Sequence, residues 1–260
     1  MNLEFSGKRV LVTGGSHGIG SAVTNLFAEL GANVAFLSRS LEKLSEQSKN
    51  VSKYNVEFMP IQCDVLDPTK IDESWKKIND AWGGIDILVN NVGGGGRWGT
   101  EGIIDTPIST WNQVIQKNLG SSYQFTILAL PHMVENKWGR VINITSILGN
   151  YIGGRPWFNV AKVAQSTLIK NLAKQKDFVR NGITFNNVAP GAIMIPDTGW
   201  AELKEKDFQE YSKFVENLPL GRMGTPEEVA LVVKFLCSED AKYINGSSIT
   251  VDGGESTFLQ

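Results

Sequence analysis

The residues with the plainest chemical purpose are the octet Thr13-Gly14-Gly15-Ser16-His17-Gly18-Ile19-Gly20. It follows an aliphatic run and precedes residues repeating at helix spacing, so its backbone amides gather where a helix begins. Such a junction attracts anions, because the first N–H groups of a helix lack internal acceptors and the aligned peptide dipoles add positive potential. Gly14 and Gly18 permit a tight turn and close backbone approach, and Gly20 lets the helix pack on the strand. The chemistry implied is the cradling of a dinucleotide's diphosphate. A glycine-rich turn alone also arises for backbone reasons only, and it is the strand before and the helix after that make this one specific.

A second candidate lies at the end of the next strand. An acid there would pair with the ribose 2′-hydroxyl of NAD, but this chain has Ser38-Arg39. Arg39 can form charge-assisted hydrogen bonds with a 2′-phosphate, so NADP(H) is favoured over NAD(H), the bland alternative being a solvated arginine at a helix start. The run Gly93–Gly96 followed by Arg97 and Trp98 can approach a bound cofactor closely while presenting a cation and a ring. Arg97 and Arg155 are candidates for an anionic small molecule, such as a sugar phosphate or an acyl thioester, although loop arginines are usually just solvated.

These groups need a frame, and the apolar patterning supplies one. Arg9–Thr13, Asn33–Ser38, Val56–Gln62, Ile85–Asn90, Arg140–Thr145, Ile183–Val188 and Ser248–Val251 read as strands separated by helical periods. The strands are nearly continuous apolar runs, as expected when helices cover both faces of a parallel sheet. Ile19, Ala22, Val23, Leu26, Phe27 and Leu30 repeat at helix spacing, and Gly31 follows as a stop. Long helices are expected over Thr110–Val134 and Val160–Val179, and the stretch Ala189–Thr225, with its aromatics Trp200, Phe208, Tyr211 and Phe214, reads as a functional excursion of the substrate-lid kind. The expected fold class is α/β, a single-domain Rossmann fold spanning 1–260, with a doubly wound seven-stranded parallel sheet.

Bulk composition narrows the partners. A chain of 260 residues can bury one large core without cross-links, and a net charge of −2 with both signs dispersed gives no footprint for nucleic acid. Cys63 and Cys237, far apart in sequence, read as buried thiols rather than a disulfide or metal site, and no metal is expected. No apolar run approaches a membrane span, and Met1–Arg9 reads as a polar lead rather than a signal peptide, so a cytoplasmic protein with a small-molecule substrate is expected.

From about residue 5 to residue 255 the chain resembles the short-chain dehydrogenase/reductase family, in its 3-oxoacyl-ACP-reductase-like branch. The carrying motifs are Thr13-Gly14 through Gly20, Asn90-Asn91-Val92-Gly93, Asp64-Val65, Asn118, Pro219-Leu220-Gly221-Arg222 and Val251-Asp252-Gly253-Gly254. The resemblance implies that Asp64 and Val65 hold the adenine, and that Gly14, Ser16, His17, Gly18, Ile19, Gly20, Ser38, Arg39, Asn90, Gly93 and Lys162 also serve cofactor binding. His17 stands where relatives often carry Arg or Lys for the phosphate. Ala189-Pro190-Gly191-Ala192-Ile193 resembles the nicotinamide-side segment, which adds Pro190, Gly191 and the Ile193 backbone to the set. The family's threonine in that loop is replaced by Ile195, with Thr198 three residues on.

Hydride transfer to a carbonyl leaves an alkoxide, so a proton donor and polar groups must stand beside the oxygen. In the family a tyrosine donates, a lysine four residues later lowers its pKa, and a serine positions the carbonyl. The resemblance matches the serine to Ser146, with Thr145 as the lesser alternative, and the lysine to Lys162, with Asn118 in support. The tyrosine position is Phe158, and a phenyl ring has no proton to give. Tyr151, or a water relayed by Lys162 and Asn118, is the remaining donor. The double-bond reductase arrangement is no rescue, because its tyrosine position is Arg155. The expectation is an NADP(H)-dependent carbonyl or alcohol oxidoreductase, with a catalytically impaired or non-catalytic dinucleotide-binding relative as its rival. The family also implies a homotetramer, or failing that a dimer.

Overall fold

The computed structural model describes residues 3–100 and 102–258. Met1 and Asn2, the start of the polar lead, lie outside the described residues. Seven strands form one parallel sheet in the order β3-β2-β1-β4-β5-β6-β7. They are β1 (Arg9–Val12), β2 (Asn33–Ser38), β3 (Phe58–Gln62), β4 (Ile87–Asn90), β5 (Gly139–Ile144), β6 (Ile183–Pro190) and β7 (Ser248–Val251). The order reverses beside β1, and the crevice at that switch point, above the carboxyl ends of β1 and β4, is where open α/β sheets bind ligands.

Successive strand side chains point to opposite faces, both covered by helices, which explains why β1, β2 and β4 are nearly continuous apolar runs rather than alternating. Val10, Val12, Val34, Phe36, Ile87 and Val89 pack on one face with Val23 and Phe27 of α1 (Gly18–Glu29) and Val229, Val233 and Leu236 of α10 (Pro226–Cys237). Leu11, Ala35, Leu37, Leu88, Val141 and Phe185 pack on the other with α3 (Pro68–Trp82), α5 (Ser121–Glu135) and α6 (Pro156–Leu172). Local signals set the helix starts. Ser40 accepts from Lys43 N at 3.2 Å before α2 (Leu41–Val51), Asp67 accepts from Thr69 N at 2.9 Å before α3, and Thr225 and Glu228 form a reciprocal capping box on α10.

Several boundaries differ from the sequence reading. The helix expected over Thr110–Val134 is α4 (Ile108–Ile115), a π turn at Gln116–Gly120, and α5, running on without interruption through Pro131. The helix expected over Val160–Val179 begins earlier, because Pro156 is preset for a first helical turn. It ends at Leu172, and a separate α7 (Lys176–Val179) turns Phe178 onto Phe185, ring centroids 6.1 Å apart. β6 runs two residues past Val188 to Pro190, each extra residue pairing with β7. The excursion after it folds into α8 (Gly199–Lys206) and α9 (Phe208–Glu216) with a small core of its own, Trp200 stacking on Phe214 at 4.3 Å. Both cysteines are free and buried.

Candidate active site

One open cleft of about 740 Å³ runs across the carboxyl ends of the strands. The glycine turn forms its floor. Gly18 has φ +53° and faces the Ile195 side chain, so a side chain there would be strained and crowded. A Cβ on Gly20 would stand 2.2 Å from the Gly14 carbonyl oxygen, so only glycine lets α1 lie this close to the turn. Thr24 holds the same turn from behind, its hydroxyl donating to the Gly15 and Gly20 carbonyls at 3.0 and 2.9 Å. Asn91 ties it to the end of β4, donating to the carbonyls of Thr13 and Gly14 at 2.9 and 3.2 Å.

Of the residues expected from sequence, Gly14, Ser16, His17, Gly18, Ile19, Ser38, Arg39, Asp64, Val65, Gly93, Pro190, Gly191 and Ile193 line this cleft, as do Ser146, Phe158 and Lys162. Three do not. Gly20 lies behind the turn. The Asn90 side-chain amide is buried away from the cleft, donating to Asn143 Oδ1 at 3.0 Å and Thr126 Oγ1 at 3.1 Å, while its neighbour Asn91 lines the cleft. Asn118 is fully buried in the π turn, where its side chain donates to Gly94 O and Val114 O at 2.8 Å each and accepts from Gly94 N at 3.1 Å. Its place in the structure is to hold the glycine loop. π turns recur at functional sites, and this one shapes the cleft wall.

At one end of the cleft, Ser38, Arg39, Ser40 and Lys43 gather, and at the other Ser146, Phe158 and Lys162. Lys162 Nζ is buried, donating to Ile144 O at 3.1 Å and Gln165 Oε1 at 2.8 Å, and lies 5.7 Å from the Phe158 ring centroid. Burial, and after it the ammonium of Lys117, lower its pKa from the ordinary 10.5 to about 7. Lys117 also lines the cleft, over the Trp98 ring at 4.6 Å, and burial first and Arg39 second push its own pKa down. Ser146 Oγ accepts from Leu148 N at 3.2 Å, which orients the hydroxyl at the end of β5.

The remaining candidates fall at the margins. Tyr151 is not among the residues that line the cleft; its ring lies 5.4 Å from that of Phe258, and burial pushes its pKa up. Arg155 is turned to backbone, donating to the carbonyls of Trp98 and Gly99. Arg97 is exposed beside Trp200, 5.8 Å from that ring. The sequence reading missed Lys43, Lys117 and Gln165. Lys117 adjoins Asn118, but a cation on a helix reads as solvated until the π turn is known to face it inward. His17, expected at a phosphate, makes a hydrogen bond with Pro196 O at 2.9 Å, which fastens the excursion to the glycine turn.

The donor set fits a dinucleotide: amides at a helix N-terminus, a turn that a Cβ would fill, and cations outnumbering the single carboxylate of Asp64 along the cleft wall. A family model described as Enoyl-(Acyl carrier protein) reductase matches residues 14–256. The chain belongs to the short-chain dehydrogenase/reductase family. A 3-oxoacyl-[acyl-carrier-protein] reductase of Aquifex aeolicus is 35% identical over 257 residues, covering 98% of this chain and 99% of that protein. A probable 2,4-dienoyl-CoA reductase of Caenorhabditis elegans is also 35% identical, covering 98% of this chain and 82% of its own. Among solved structures, the L-sorbose reductase of Gluconobacter frateurii, complexed with NADPH and L-sorbose, superposes with a TM-score of 0.89 at 30% identity over the whole of both chains. The chain is thus an oxidoreductase of Rossmann-like fold, and no helix among the described residues is long and apolar enough to cross a membrane.

Proposed function

We propose that the protein moves a hydride between NADP(H) and a carbonyl or alcohol of a small molecule, with Phe158 standing where the family's proton-donating tyrosine would be. The observation that carries the reading is the single cleft with a phosphate-type pocket at one end and Ser146 and Lys162 at the other. A bound reduced nicotinamide supplies the hydride. The amides of Ser16–Ile19 hold the diphosphate, and Ser38, Arg39 and Lys43 supply hydroxyls and cations for a 2′-phosphate. Ser146 donates to the substrate carbonyl as negative charge develops on oxygen. The L-sorbose reductase, complexed with NADPH, supports the choice of cofactor, whereas a 27% identical 7α-hydroxysteroid dehydrogenase is complexed with NADH.

A second reading, a dinucleotide-binding relative with impaired or no catalysis, draws on Phe158, whose ring lines the cleft without a hydroxyl. Following NADPH consumption with acetoacetyl-coenzyme A, L-sorbose, an aliphatic ketone and an aldehyde separates the two. Slow turnover by the wild type, raised in Phe158→Tyr, supports the oxidoreductase, and no consumption by either protein contradicts it. We also propose a homotetramer, supported by the apolar residues Tyr123 and Ile127 on α5 and Val160 and Val163 on α6 that stay exposed in the single chain.

A further inference from the structure

We propose that Lys162 itself delivers the proton that carbonyl reduction requires, and that Gln165, one turn along α6, is the positioning residue that aims it. The proposal rests on the hydride-transfer reading above. Gln165 is fully buried, and its oxygen is the one side-chain acceptor for the Lys162 ammonium among the described residues, at 2.8 Å. The Ile144 carbonyl takes a second N–H at 3.1 Å. An ammonium has three N–H bonds, so two are fixed on α6 and β5 and the third is left for the cleft that Lys162 lines with Ser146. The Phe158 ring beside it offers no hydroxyl to carry the proton onward.

Packing alone does not explain an amide at position 165. Gln165 Nε2 is buried without a hydrogen-bond partner among the described residues, a cost that leucine at the same place would avoid. What the amide supplies is the acceptor for Lys162. Burial and the neighbouring charge bring the lysine to about 7, so the amine both holds and releases a proton near neutrality. Lys117 on the π turn is the charged group set against it from another element. β5 faces it with the Ile144 carbonyl, the Gly93 loop with backbone, and α6 with the neutral amide. In the step, a hydride reaches the carbonyl carbon with its electron pair, the reduced nicotinamide being oxidised, and the C=O π pair moves to oxygen. An N–H bond of Lys162 breaks as the O–H bond forms, and the neutral amine regains its proton from water.

Two measurements test this. In ligand-free protein carrying 13C-lysine, NMR titration should place the Lys162 midpoint near 7 in the wild type, lower in Gln165→Leu and higher in Gln165→Glu. An acceptor favours the ammonium and a carboxylate favours it more, so midpoints that do not move overturn the role of Gln165. Gln165→Met replaces the leucine variant if that one does not fold. The pH profile of kcat/KM for NADPH-dependent reduction across the same four carbonyl compounds should then fall at the NMR midpoint and track it in both kinds of variant. A falling limb that stays in place while the midpoint moves overturns Lys162 as the donor, while wild-type turnover leaves the hydride-transfer reading standing. Turnover by Phe158→Tyr alone overturns it too and favours the catalytically impaired reading, and no NADPH consumption by any of these proteins overturns both.

Discussion

A phenyl ring where a phenol would serve removes a proton while leaving shape almost unchanged, so Phe158 bears on rate rather than on folding. Restoring the hydroxyl in Phe158→Tyr should raise kcat, though by less than the roughly 10²–10⁴ of a positioned acid because Lys162 already supplies a proton. The ring already packs against Gly96, so the thermal midpoint should change little, and differential scanning calorimetry beside the kinetics checks both. At this scale the sequence was legible wherever a residue type sat in a motif. Gly14, Arg39, Ser146 and Lys162 could be marked before any coordinates, and all four line the cleft. Gln165 and Lys117 could not, because an amide and an ammonium on helical segments carry no mark until burial and the π turn are seen. Asn90 shows the reverse case: it shares a motif with Asn91, but the alternation of strand side chains turns its amide away from the cleft, onto Asn143 and Thr126.

The π turn between α4 and α5 shows what an element contributes. Two hydrogen bonds between the Asn118 side chain and Gly94 fasten that backbone, and with it the wall against which Lys162 stands, while a third ties the amide to Val114 O. Asn118→Ala should cost about 1–3 kcal/mol of stability, because it leaves buried backbone groups unpaired. It should also raise KM for NADPH as the loop loosens. Urea unfolding and steady-state kinetics check the two effects, and a variant as stable as the wild type would contradict this account of the turn. The strands were easy to find because aliphatic runs in a doubly wound sheet need no alternation. The π turn and the break after Leu172 left no trace in hydrophobic periodicity, since neither alters which residues are apolar.

Across the whole molecule, one buried lysine tilts stability with pH. Its pKa in the folded chain, about 7, lies below the ordinary 10.5, so between these values the unfolded chain binds the extra proton. Stability from this group therefore rises with pH in that window and is constant below it, where both states are protonated. Relative to Lys162→Met, the wild type should gain thermal midpoint from pH 7 upward, and parallel curves for the two proteins would contradict the burial of a titrating amine. At the scale of assembly, sedimentation should show a tetramer that Ile127→Asp dissociates, because the substitution puts a charge on an apolar face that a partner would cover. The seven-stranded parallel sheet was legible from the alternation of elements, whereas how chains associate depends on surfaces that sequence periodicity does not separate from the core. The central claim, that the cleft holds a dinucleotide with its 2′-phosphate on Arg39, is tested most directly by calorimetric titration of NADPH and NADH into wild type and Arg39→Asp. The wild type should bind NADPH more tightly than NADH, and the substitution should weaken NADPH at least tenfold, about 1.4 kcal/mol, while affecting NADH less. A folded wild type that takes up neither dinucleotide at millimolar concentration would contradict the account.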